Sequence, residues 1–347
     1  MAAKPDEPLK GMHHSSPDLL VSVIIPTRNR ARLLADVIES LFVQSLDPGR
    51  YEIIVVDNRS EDGTPKMIEE LQRRAPCRLR YEYCEVNRGP VYTRNLGARL
   101  AQAPILAFTD SDCRAHPKWL ERGLDAFERS SKVALVSGAV LDKPGQPVKF
   151  FTLRNGAAPG ENYTYPTCNV FYRRDVFHEL GGFDESVWLY DVSTSPIECA
   201  DTDFAWKVRE AGYDNFYSDD LIIYHEVPVV KPIVWLLYHT RLLVIPELVR
   251  RHPQLRRKLL LGGIFFSREN ILFYLFLLGL ILGVLIHPAM LLLCAPYLLW
   301  ALALRGGKLT LARIPRLIAR IPVFAVRHVV VCGSLLYGSL RSRRLVL

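Results

Sequence analysis

Asp110-Ser111-Asp112 follows directly on an apolar run, Pro104 to Thr109, and at that junction residue type and spacing point to chemistry. The run is continuous rather than alternating in hydrophobicity, as a strand buried on both faces of a parallel sheet would be. In open α/β sheets the ligand crevice lies beyond the carboxyl ends of the strands. Two carboxylates two residues apart at such an end can share one hard cation, of the kind that carries a nucleotide's phosphates. A D-x-D triplet also occurs by chance in surface loops, so its meaning depends on its neighbours.

Other candidates stand at comparable places. Asp57 closes the run Tyr51–Val56 and precedes Asn58-Arg-Ser60-Glu-Asp62-Gly63-Thr64. This loop is neither a P-loop nor a G-x-G-x-x-G turn, so its backbone has no evident phosphate-cradling job. A carboxylate there can accept hydrogen bonds from a base or ribose, while Ser60, Asp62 and Thr64 also read as an Asx-turn with a helix cap. In Asn87-Arg-Gly89 through Thr93-Arg94-Asn95, Gly89 permits close approach. Arg94 either faces a diphosphate or is solvated or salt-bridged. Asp201-Thr-Asp203 opens a helical segment that Gly212 would cap. Asp201 is then a plain N-cap or a working carboxylate kept ionised by the helix N-terminus. His225, after Leu221–Tyr224, is a ligand or a core histidine.

Positioning these residues takes alternating elements. Strands are expected over Leu19–Pro26 (stopped by Pro26), Tyr51–Val56, Leu79–Tyr83, Ile105–Thr109 and Val133–Val140. Helices are expected over Ala31–Ser45, Pro65–Arg74, Val91–Gln102 and Pro117–Arg129, and a loop over Gly145–Tyr165. That alternation predicts an α/β fold with right-handed βαβ units and a mostly parallel sheet flanked by helices. The chain divides into a lead-in over 1–17, which holds His13-His14, an α/β domain over 18–230 and a basic helical region over 231–347. The seven cysteines are odd in number and lack a C-x-x-C pair, which suits reduced thiols in a cytosol-facing protein. No apolar signal segment is evident near Met1.

From Lys231 onward there are 17 Lys/Arg and two acids, Glu247 and Glu269, so the first 230 residues hold −7 of a net +8. A basic tail fits nucleic acid or an anionic membrane surface. Hydropathy decides for the membrane and against nucleic acid: Ile271–Ile286 and Ala289–Leu304 are apolar and joined by His287-Pro288. They predict a helical hairpin over 271–304, tilted or partly inserted, with basic flanks that put both ends in the cytosol. Ile321–Leu340 contains Arg327 and His328 and reads as an interfacial or re-entrant helix. Leu309–Arg320 reads as a membrane-surface helix.

The ordered set resembles an inverting family 2 glycosyltransferase of the GT-A fold over about Leu19 to Val227. It comprises Val21-Ser-Val-Ile-Ile-Pro-Thr-Arg-Asn29, the Asp57 loop, Asn87-Arg-Gly89, Thr93-Arg-Asn95, Phe108-Thr-Asp-Ser-Asp112, Thr167-Cys-Asn169, Leu180-Gly-Gly-Phe-Asp184, Asp201-Thr-Asp-Phe204 with Arg209 and Gly212, and His225. The resemblance implies a nucleotide-sugar half over about 18–115 and an acceptor half over 116–230. Pro26, Thr27 and Asp57 would line the nucleoside site, with Arg94 toward the diphosphate. Asp110 would reach the ribose or metal, Asp112 would bind Mg²⁺ or Mn²⁺, and His225 would complete the metal's ligands. Asp201 would be the base. Asn169 and Asp184 would shape the acceptor side, with Asp203 bracing the helix start. Ala200 stands where the family commonly has Glu, so Asp203 and Glu198 remain rivals for the base. The Q-x-x-R-W motif of processive members is absent, which favours transfer of one sugar to a lipid-linked or saccharide acceptor at the cytoplasmic face of a membrane. The alternatives are a non-catalytic membrane-anchored carbohydrate-binding protein and a nucleotidyltransferase. Intact Asp57, Asp110, Asp112 and Asp201 argue against the first. A glycine-free Val21–Arg30 argues against the second.

Overall fold

Uninterrupted Val/Ile runs can only be strands that water never reaches, and the two central ones are. All seven residues of β1 (Val21–Thr27) and all seven of β2 (Tyr51–Asp57) are buried. The computed structural model describes residues 19–154, 160–186, 199–303 and 319–347. Two compact units divide the chain. The first comprises Met1–Gln146, Asn155–Phe183 and Lys207–Glu226, the second Pro147–Arg154, Asp184–Trp206 and Val227–Leu347.

The first unit is built on one eight-stranded sheet. Its remaining strands are β3 (Arg78–Tyr83), β4 (Ile105–Phe108), β5 (Cys113–Ala115), β6 (Val133–Asp142), β7 (Val170–Arg173) and β8 (Asp214–His225), in the order β3-β2-β1-β4-β7-β6-β8-β5. β1 to β4 pair in parallel, connected through α1 (Ala31–Phe42), α2 (Thr64–Gln72) and α3 (Gly89–Leu100). α4 (Trp119–Glu128) precedes β6, and β7 inserts antiparallel between β4 and β6. β5 pairs antiparallel with β8, setting Cys113 opposite His225.

Three expectations change. Pro26 does not stop β1, which runs on to Thr27. Ile24 accepts a hydrogen bond from Thr109 on the β4 side. Pro26, two residues on, turns its N–H-less nitrogen the same way, past the end of β4, where no ladder bond is lost. The antiparallel strands β5 and β7 went unanticipated, since three and four residues give no readable period. β8 starts at Asp214, well before the apolar run that marked it, because its first half is polar and part-exposed.

Among the described residues of the second unit, three helical stretches are long and apolar enough to cross a membrane: Pro232–Arg251, Arg268–Leu285 and Ile321–Ser342. The first was not anticipated, and the third, expected as an interfacial or re-entrant helix, is one continuous 22-residue helix. The expected hairpin is present with its arms unequal. Arg268–Leu285 is α-helical, whereas Pro288–Cys294 is a 3₁₀ turn leading into the helix Ala295–Ala303. Gly279 and Gly283, four residues apart, let the arms touch: a Cβ at Gly279 would lie 2.9 Å from Leu293 Cβ, and one at Gly283 2.7 Å from Leu291 Cδ2. The lead-in over 1–17, and the surface helix expected over Leu309–Arg320 except for its last two residues, lie outside the described residues.

Candidate active site

Most polar residues of the motifs lace loops together at the carboxyl edge of the sheet. Asn29 donates its N–H to Ser60 Oγ and accepts at Oδ1 from the Glu61 N–H, both at 2.8 Å. Asp62 accepts from the Ala31 N–H at 3.1 Å and from the Thr64 N–H at 3.0 Å, the Asx-turn arrangement. Asn58 donates to Asn87 Oδ1 at 2.7 Å and accepts from the Arg88 N–H at 2.9 Å. Gly89 then opens α3 at φ +84°, which a side chain would strain. Farther along, Asn95 clasps the backbone of Phe183 from both sides, at 2.8 and 3.0 Å, joining Thr93-Arg-Asn95 to Gly181-Gly-Phe183. These motif residues are scaffold.

Thr27 and Asp57 pair in register at the ends of β1 and β2. Thr27 Oγ1 is buried and makes no hydrogen bond among the described residues. Asp57 is fully enclosed: Oδ1 accepts from the Ser60 N–H and Oδ2 from the Tyr81 hydroxyl, each at 2.7 Å. Its carboxylate therefore anchors the turn, and the direct base contact expected of it is not offered by this geometry.

The aspartates after β4 separate rather than sharing one partner. Arg94 donates to Asp110 Oδ1 at 2.7 Å. Burial pushes the Asp110 carboxyl up, but the Arg94 guanidinium outweighs it and holds the group below its ordinary range. Asp112 receives Arg30 on Oδ2 at 2.7 Å. Its other oxygen, Oδ1, is buried, accepts no hydrogen bond among the described residues and lies 3.5 Å from His225 Nε2. His225 Nδ1 is 2.7 Å from the Glu226 carbonyl, a contact that orients the ring and turns Nε2 toward Asp112. An uncommitted carboxylate oxygen beside an oriented imidazole suits a borderline divalent ion such as Mn²⁺. Cys113 completes the cluster geometrically. Burial pushes its thiol well above the ordinary range.

Asn169 is a correction. It is 1% exposed, accepts from Trp119 Nε1 at 2.9 Å and donates to the carbonyls of Ala139 (2.9 Å) and Leu221 (2.8 Å). With both amide protons and its oxygen spent on the core, it cannot shape an acceptor site.

Asp201 and Asp203 lie in the first turn of α5 (Ala200–Glu210), and Gly212 at φ +89° follows its end as expected. Asp201 Oδ1 accepts from the Thr202 N–H at 2.7 Å. In the second unit, Asp203 is fully buried against Arg251 Nη1 (3.2 Å) and His252 Nε2 (3.1 Å). Arg251 also reaches Asp184 Oδ2 at 3.2 Å and Glu247 at 3.0 Å. Arg250-Arg251 had read as a membrane flank, but Arg251 turns inward to tie three carboxylates together. A buried, ion-paired Asp203 is a poor base, since protonation would break its pairing. Glu198 lies outside the described residues. Sequence reasoning missed Arg30, Arg251 and His252. Arg30 adjoined a quoted motif. The other two are about fifty residues from their partner, and no local pattern marks them.

Residues 22–181 match the family described as Glycosyl transferase family 2. The glycosyltransferase AglE of Haloferax volcanii is 30% identical over 226 residues, 59% of this chain and 66% of that protein. The glucosyl-dolichyl phosphate glucuronosyltransferase of the same organism is 27% identical over 186 residues, 47% of this chain and 56% of its own length. The chain thus spans less than two thirds of either relative. The mannosyltransferase PcManGT of Pyrobaculum calidifontis, solved with GDP-Man and Mn²⁺, matches with a TM-score of 0.55 at 18% identity, covering 96% of this chain and 90% of that one. At that identity the likeness speaks to the fold alone, and the fold is that of the GT-A enzymes. The chain accordingly carries, over residues 22–181 of a GT-A sheet, a family 2 glycosyltransferase domain.

Proposed function

We propose that the protein moves one sugar from a nucleotide-sugar donor to an acceptor hydroxyl on a lipid-linked or other saccharide, with inversion at the anomeric carbon. The observation that carries this reading is Asp112 beside His225 at the carboxyl edge of the sheet, one oxygen uncommitted and an imidazole aimed at it. Asp112 and His225 would hold Mn²⁺ or Mg²⁺, which supplies countercharge to the departing diphosphate. Pro26 and Thr27 line the nucleoside side, Thr27 offering its buried hydroxyl, while Asp57 shapes that wall through the turn it anchors. Arg94 and Arg30 are the cations nearest the phosphates, each released from its aspartate as the donor binds. Asp110 hands its charge from Arg94 to the ribose. Asp201 takes the acceptor's proton as the hydroxyl oxygen bonds to the anomeric carbon and the carbon–oxygen bond to the diphosphate breaks. Asp203 and Asp184, tied by Arg251, fix the helix that carries the base.

The relatives' names support the class of partners: one acts on a glucosyl-dolichyl phosphate, and a fold neighbour binds GDP-Man with Mn²⁺. The three apolar helical stretches support attachment to a membrane, and the basic balance from Lys231 onward supports a cytoplasmic face for their polar flanks. Positioned acid–base groups contribute about 10²–10⁴-fold. Asp201→Asn is expected to lose transfer by that factor while calorimetry still detects binding of the donor. Turnover near wild type in Asp201→Asn would remove Asp201 from the reaction.

A further inference from the structure

The second unit encloses a cavity of about 390 Å³, in the size range of small-ligand sites. Its walls are aromatic. The Phe150 ring lies 5.9 Å from Trp235 and 5.6 Å from Phe324, and Trp300 lies 6.0 Å from Phe324. Lys149, Arg154 and Arg327 also line it, against one acid, Glu269. Arg327 stands on the apolar helix Ile321–Ser342, where an arginine is costly unless something compensates its charge. Its Nε donates to His239 Nε2 at 2.8 Å, and His239 Nδ1 is held by the Trp235 carbonyl at 2.8 Å. That chain fixes the guanidinium plane. Its two terminal amino groups make no hydrogen bond among the described residues, and no described carboxylate lies within ion-pair distance of it.

An oriented guanidinium with no salt bridge among the described residues, on an aromatic wall with two further cations against the single acid Glu269, suits a phosphate that carries an apolar chain. We propose that this cavity binds the phosphate head and first carbons of an isoprenoid-type lipid phosphate. The Nη groups of Arg327 would grip the phosphate and Phe150, Trp235 and Phe324 would pack the chain. The assignment deepens the transferase reading and rests on it for the ligand's purpose, since a lipid-phosphate carrier is one form of its acceptor.

The test uses the full chain in detergent, titrated with farnesyl phosphate and followed through the fluorescence of the cavity's tryptophans. Farnesyl phosphate is expected to bind at least tenfold more tightly than farnesol or inorganic phosphate. Arg327→Gln should erase that advantage, and Arg327→Lys should restore part of it. Because Arg327→Gln can unfold the helix, Phe150→Ala serves as a second variant, expected to weaken farnesyl phosphate and leave inorganic phosphate unchanged. Equal binding by wild type and both variants overturns the proposal. So does phosphatidic acid, offered in mixed micelles, competing as well as farnesyl phosphate, because the cavity would then hold a bilayer lipid. Sugar transfer to a lipid-linked acceptor is measured separately. Transfer with an unchanged acceptor KM in Arg327→Gln sinks the cavity assignment and leaves the transferase reading standing. Farnesyl phosphate binding without transfer of any sugar does the reverse.

Discussion

Arg30 occupies one oxygen of Asp112 at 2.7 Å while the other faces His225 at 3.5 Å, so a cation entering the site competes with a guanidinium already there. Arg30 is about half exposed, and exposed ion pairs are worth roughly 0.2–1 kcal/mol. Arg30→Gln is therefore expected to tighten Mn²⁺ by about 1.5- to 5-fold, and Asp112→Asn to abolish it. Manganese titration by electron paramagnetic resonance reads both. Weaker binding in Arg30→Gln would show that Arg30 organises Asp112 rather than opposing the ion. The same residues show what was legible at this scale. Asp112 and His225 were marked because each follows an apolar run at a strand end or within one. Which aspartate would go with which cation was not, since Arg94 and Arg30 reach Asp110 and Asp112 across 16 and 82 residues. Asn169 misled for the opposite reason: a polar residue in a motif reads as functional even when its amide is spent on Trp119, Ala139 and Leu221.

Elements were legible in proportion to their length and burial. β1 and β2 are seven-residue runs with no exposed position, and α1 between them carries a clear apolar stripe. β5 and β7 are too short for a pattern, yet they complete the sheet, and β5 is what brings Asp112 to the end of β8. Close packing also hid behind single letters. Gly97 in α3 faces β1, and a Cβ there would lie 2.5 Å from Ile24 Cγ2 and 3.3 Å from Val56 Cγ2. Helix propensity favours Ala over Gly by about 1 kcal/mol, whereas overpacking a dense core costs about 1–3 kcal/mol. The clash is with a β-branched side chain on a buried central strand, which cannot swing aside, so the second term wins. Gly97→Ala is expected to lower stability, read as a drop in the thermal unfolding midpoint. An unchanged or raised midpoint would mean that α3 can lift off the sheet without loss.

At the scale of the whole chain, two forces could hold the protein to a membrane, and they respond differently to salt. The residues from Lys231 onward are basic, and attraction to anionic lipid is screened within about 3 Å at 1 M salt. The helix Arg268–Leu285 instead leaves Leu278, Leu280, Ile281, Val284 and Leu285 exposed, and Ile321–Ser342 leaves Val326, Val329, Leu336 and Leu340 exposed. Contiguous apolar surface of that kind needs a cover that water cannot supply, and its stabilisation by lipid does not depend on ionic strength. Both helices reach the roughly 18–20 residues that a bilayer core requires, whereas a surface-bound amphipathic helix would show one polar face. Membranes containing the full chain are therefore expected to retain it through washes with 1 M NaCl and then with alkaline carbonate, and to release it only into detergent. Immunodetection of pellet and supernatant after each wash decides the matter. Release by salt alone would make the basic charge the anchor and would require the apolar helices to be covered by protein instead.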